Sequence, residues 1–86
     1  MARTPAIQLV ETRRGCALME PHPRYDVLLH GTTVGQLYYN LTGYVGTLPL
    51  PGGGKLEIGE RGISVYRREV SRLNREWAEY SAAGVT

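Results

Sequence analysis

The sequence predicts an α+β domain: an antiparallel sheet of about four to five strands with one long C-terminal helix packed on one face. Three observations carry that prediction. Ile63, Tyr66, Val70, Leu73, Trp77 and Tyr80 recur at alternating spacings of three and four, which gathers them on one side of a helix turning about 100° per residue. Between Tyr25 and Leu48, apolar and polar residues alternate with the period of strands packed on one face. Gly and Pro cluster between these runs, where the chain must turn.

In order, residues 1–5 read as a flexible tail. Ile7, Leu9 and Glu11 alternate with Gln8, Val10 and Thr12, a first strand. Arg13-Arg14-Gly15 supplies turn chemistry, and residues 16–20, beginning at Cys16, return as a second strand of a hairpin. Pro21-His22-Pro23 ends it, because proline removes donors and forces an extended or turning backbone. In Tyr25 to His30, Tyr25, Val27 and Leu29 share one face; Asp26, Leu28 and His30 share the other. Gly31-Thr32-Thr33 turns the chain into Val34 to Leu41. There Leu37, Tyr39 and Leu41 lie on one side, and Gln36, Tyr38 and Asn40 on the other, so Tyr38 is the ring expected toward solvent. Tyr44 to Leu48 completes the meander, and Pro49 and Pro51 confine their segment to a sheet edge or a loop.

Gly52-Gly53-Gly54 is a turn before a short edge strand, Lys55 to Ile58, with Leu56 and Ile58 inward. The helix then runs from Ile63 to Tyr80, with Gly62 or Ser64 as its N-cap. No Pro or Gly interrupts it. Its opposite arc holds Arg67, Arg68, Ser71, Arg72, Arg75, Ala78 and Glu79. Residues 82–86 are expected to fray. The 86 residues form a single domain without an internal repeat.

Composition excludes several classes. At 42% apolar and 21% charged the chain has enough apolar surface for a core. The one cysteine, Cys16, has no partner for an internal disulfide, which favours a reducing compartment. No apolar run approaches the ~20 residues of a membrane span, so the expected location is cytoplasmic.

Catalysis has little to build on. His22 sits between prolines, His30 ends a strand, and Cys16 has no neighbouring base. No Cys/His spacing suits zinc and no acidic loop suits calcium. Pro51-Gly-Gly-Gly-Lys55 lacks the Ser or Thr that comes after the lysine of a phosphate-binding loop. The expectation is no enzyme activity, no metal and no cofactor.

Charge is segregated along the chain. Residues 25–60 carry Lys55 against Asp26, Glu57 and Glu60, a net of −2. Arginine concentrates in the first 24 residues and in the helix, where Arg68, Arg72 and Arg75 fall within roughly 60° of one another. Such a stripe suits phosphate or carboxylate. The pairs Glu69–Arg72, Arg72–Glu76 and Arg75–Glu79 equally suit an ordinary solvated helix face. Strands and then a helix, 25–48 then 63–80, are similar in plan to AP2-like and integrase arm-type DNA-binding domains. That resemblance implies a DNA-binding accessory or regulatory protein, but its sheet would display Arg and Lys, and residues 25–60 here hold one Lys, no Arg and three acids.

A protein that works by contact is the expectation that remains. Six tyrosines and no phenylalanine give aromatic surface with a polar end. Asp26, Tyr38, Tyr44 and Glu57 are the candidate partner-binding residues, with Arg68, Arg72 and Arg75 the alternative face for nucleic acid or an acidic partner. In size, single-domain plan and lack of catalytic residues the chain resembles small phage-encoded anti-CRISPR proteins. That resemblance implies a non-enzymatic inhibitor that contacts a bacterial CRISPR effector complex. A homodimer, through exposed tyrosines or the helix stripe, is the third alternative.

Overall fold

The computed structural model describes residues 5–13 and 21–82. The expected returning strand at residues 16–20 lies outside the described residues, as do residues 1–4 and 83–86. The architecture is α+β, and the described residues form six strands and one helix: β1 (Ile7–Thr12), β2 (Arg24–Leu29), β3 (Thr32–Asn40), β4 (Gly43–Val45), β5 (Thr47–Pro49), β6 (Lys55–Glu57) and α1 (Ile63–Ala82).

Strands β1 to β4 form one antiparallel sheet in chain order, and β5 pairs with β6 as a separate ribbon. The expected single strand from Tyr44 to Leu48 is therefore two. Gly46 divides them at φ +151°. A Cβ at Gly46 would lie 2.5 Å from Leu37 Cδ2, so only glycine lets the chain cross Leu37 there. Gly43 is equally constrained, since a Cβ would stand 2.6 Å from Arg61 N. The β2–β3 turn is tighter than expected. His30 and Gly31 take φ +51° and +84° between paired Leu29 and Thr32, the two-residue hairpin turn that matches strand twist.

Period two sorts the strands as the sequence implies. Ile7, Tyr25, Val27, Leu37 and Tyr44 are buried on the inner face, and Leu48 of β5 joins them. From the helix come Tyr66, Val70 and Leu73, the centre of the predicted stripe. Ile63, Trp77, Leu56 and Ile58 pack around this cluster. The centre of the stripe is thus covered by the chain's own strands. Trp77 Nε1 donates to Pro49 O at 3.2 Å, which fastens the far end of α1 to the β5–β6 ribbon. The N-terminal end is fastened by Tyr66, whose hydroxyl reaches Tyr44 O at 2.9 Å and Gly59 O at 2.8 Å.

Leu41 departs from its expected inward place. It sits at the β3–β4 tip, 85% exposed with φ +53°. Thr42 N–H donates to Asn40 O across it at 2.6 Å. The Glu60 carboxylate closes the same tip, accepting from Thr42 Oγ1 at 2.6 Å and Asn40 Nδ2 at 3.2 Å.

Candidate interaction surface

The helix covers one face of the four-stranded sheet, and the strand pleat sends every second residue to the other face. Register fixes what is presented there. Val10, Asp26 and Gln36 make one cross-strand row, and Gln8, Leu28 and Thr33 the next. Tyr38 stands opposite Val45 on β3–β4. Val10 and Tyr38 remain 45% and 47% exposed, which is high for apolar or aromatic residues in the middle of strands.

Between these side chains runs a polar chain. Gln36 Nε2 donates to Asp26 Oδ1 at 3.2 Å, and Arg24 Nη1 approaches Gln36 Oε1 at 3.4 Å. Both ends of the Gln36 amide are thereby engaged, and the ring of Tyr38 lies two residues further along the same strand. Arg24 Nε is enclosed without a hydrogen-bond partner. The face carries Asp26 and Arg24 together, so it is electrically balanced and not acidic as the sequence implied. The acids Glu57 and Glu60 lie on β6 and at the β3–β4 tip.

The predicted site residues therefore divide. Asp26 and Tyr38 share the open face of adjacent strands. Tyr44 does not join them: it pairs with Tyr39, points inward at 5% exposure, and its hydroxyl donates to Pro23 O at 2.8 Å. Its ring is core, edge-on to Tyr25 and Tyr39 at 5.3 Å, and burial pushes its phenol pKa up. The expectation that Tyr44 meets a partner is corrected on that ground. Glu57 is exposed, but on the separate β5–β6 ribbon.

Arg68, Arg72 and Arg75 are exposed on the outer side of α1. Arg72 is held by Glu69 at 2.7 Å and by Glu76, and the hydrogen bond to Glu69 raises its pKa. Arg68 and Arg75 make no ion pair among the described residues. Of the six tyrosines, Tyr25, Tyr44 and Tyr66 belong to the core, so exposed tyrosines do not form a continuous seam. Val10 and Leu28 are apolar residues of the open face that were not among the predicted site residues. Their alternation with Leu9 and Val27 carried the signal.

The two histidines are far apart in role. His22 stacks on Tyr39 with ring centroids 3.7 Å apart, while His30 meets Trp77 edge-on at 5.5 Å. The cleft of about 300 Å³ beside His30 is lined by Asn74, Trp77 and Ser81 and by no carboxylate. Among the described residues no three His, Cys, Asp or Glu side chains gather to hold a metal ion. No helix among them is long and apolar enough to cross a membrane.

Fold and surface together define a small α+β domain whose antiparallel sheet is backed by one helix and, among the described residues, open on its other face. No protein-family model, curated protein or solved structure is significantly similar to the chain.

Proposed function

We propose that this is a small non-catalytic binding protein that recognises a protein partner through the open face of its four-stranded sheet. One observation carries the reading: Val10 and Tyr38 stay nearly half exposed around a polar chain, Asp26–Gln36–Arg24, whose members already bond one another. Apolar and aromatic side chains that surround polar groups bonded to one another, with Arg24 Nε the atom left over, match the composition of an interface centre. Tyr38 is the natural anchor, since tyrosine supplies a large contact area at a low cost in ordering. The specific form of this reading is an inhibitor of the anti-CRISPR type, which occupies a bacterial nucleic-acid-targeting complex by contact alone.

The test is binding of purified CRISPR effector complexes to the immobilised protein. Tyr38→Ala is expected to weaken capture by roughly tenfold or more, the loss typical of an interface anchor. Asp26→Lys, which breaks the polar chain and adds charge, is expected to do the same. Equal capture by the unmodified protein and by both folded variants would remove the open face as the recognition surface. A second reading, DNA binding by the helix, is favoured by the exposure of Arg68 and Arg75, which have no ion-pair partner among the described residues.

A further inference from the structure

Among the described residues, the four-stranded sheet is closed at one edge and largely uncovered at the other. On the β4 side, Tyr44 N–H donates to Arg61 O at 2.7 Å and Arg61 N–H to Tyr44 O at 3.3 Å. On the β1 side, the cover among the described residues is one side chain. Asn74 Oδ1 accepts from Ile7 N–H at 2.7 Å, and Asn74 Nδ2 donates to Ile7 O at 3.1 Å. The amide pairs Ile7 as a neighbouring strand residue would.

This contact also fixes which groups point outward. His30 N–H donates to Ala6 O at 2.8 Å, so Ala6 faces β2 and Ile7 faces away. The β1–β2 register runs unbroken from Ile7 to Thr12. Antiparallel alternation therefore turns the N–H and C=O of Leu9 and Glu11 outward too. These four groups have no partner among the described residues. Native edges are usually blunted by lysine, proline, a bulge or brevity. β1 is six residues long and has no Lys, Pro or bulge.

We infer that this edge pairs with β1 of a second copy of the chain about a two-fold axis at Val10. In that register Leu9 stands opposite Glu11 of the partner subunit, and the reverse, which makes four main-chain hydrogen bonds. The Ile7–Asn74 pairing is undisturbed. A register centred on Leu9 would displace Asn74, and one centred on Glu11 would oppose two carboxylates directly. The chosen register brings the two Val10 side chains together at a non-hydrogen-bonded site, where strands approach within about 4.5 Å.

Charge agrees. Glu11 lies on the helix side of the sheet, where Tyr25 OH reaches it at only 3.4 Å. Opposite Leu9, the partner subunit's Glu11 would enter a groove of about 380 Å³ beside Leu9, Arg67, Val70 and Ser71. Arg67 makes no ion pair among the described residues; its guanidinium lies 5.6 Å from the Tyr25 ring centre. Each Glu11 thus meets the other copy's Arg67. This inference does not rest on the recognition proposed for the open face.

Light scattering on the eluting protein tests it. At about 0.1 mM, where mass action favours association, the unmodified chain is expected at twice its 9.5 kDa mass. Glu11→Pro removes one outward N–H and leaves the β2 ladder intact; it should elute as a folded monomer by circular dichroism. Glu11→Arg and Arg67→Glu should each weaken the dimer, and their combination should restore it. If Glu11→Pro fails to fold, the charge exchange decides alone. A monomeric unmodified chain, or a dimer indifferent to these changes, overturns the proposal, as would occupation of the edge by a strand from another protein.

Discussion

Tyr66 shows how much one hydroxyl holds in so small a core. It is fully buried, and its O–H is shared between Tyr44 O and Gly59 O, which ties helix, sheet and connecting loop at one point. Burial raises its phenol pKa; Arg61 acts against this and Glu57 adds to it. The sign comes from linkage. The unfolded chain loses this proton near pH 10, while the folded state retains it to a higher pH. The stabilisation is therefore complete below about pH 10 and is lost as pH rises through the folded value. Urea midpoints are expected to hold level from about pH 7 to 9 and to fall beyond about pH 10. Tyr66→Phe should cost about 1–2 kcal/mol at neutral pH, because a shared donor is withdrawn from buried carbonyls. It should also shrink the alkaline fall. A Phe variant as stable as the parent would contradict this account.

At the scale of elements, the hairpin tip carries a strain that substitution should release. Leu41 takes φ +53° while almost wholly exposed, so nothing apolar offsets a left-handed backbone. Leu41→Asn is expected to stabilise the fold by up to about 1 kcal/mol, since asparagine visits that region at lower cost. The thermal midpoint reads it. Period was what could be read in advance: the stripe from Ile63 to Tyr80 became α1 with its centre buried, and β2 and β3 presented the expected faces. Asp26 and Tyr38 came from the same alternation. Tyr44 shares parity with Leu48, so period two already pointed it inward; its hydroxyl suggested the wrong side. Other features depended on contacts through space. Gly46 breaks a strand because Leu37 lies beneath it. Asn74 caps an edge 67 residues away in sequence. No local pattern encodes either.

At the scale of the whole molecule, charge bears on the choice between a protein partner and a duplex. Three of the four arginines of α1, Arg68, Arg72 and Arg75, are exposed on its outer side, while Arg67 turns toward Tyr25, and the open face balances Asp26 with Arg24. Among the described residues the open face has no excess of basic side chains, and a duplex bound by those of α1 would lie along the helix. There Arg72 already serves Glu69 and Glu76, leaving Arg68 and Arg75 as the cations ready for phosphate. Each neutralised phosphate contributes about 0.9 to the slope of log affinity against log salt. Two such contacts, or three if Arg72 is drawn from its acids, give a slope no steeper than about −3. Binding of that kind is weak and indifferent to sequence. Fluorescence anisotropy with a labelled duplex, titrated from low to physiological salt, should show shallow dependence, and Arg68→Glu with Arg75→Glu should abolish what binding exists. A steeper slope that survives the double variant would require a basic surface elsewhere, and the arginines of the first 24 residues would be the place to look.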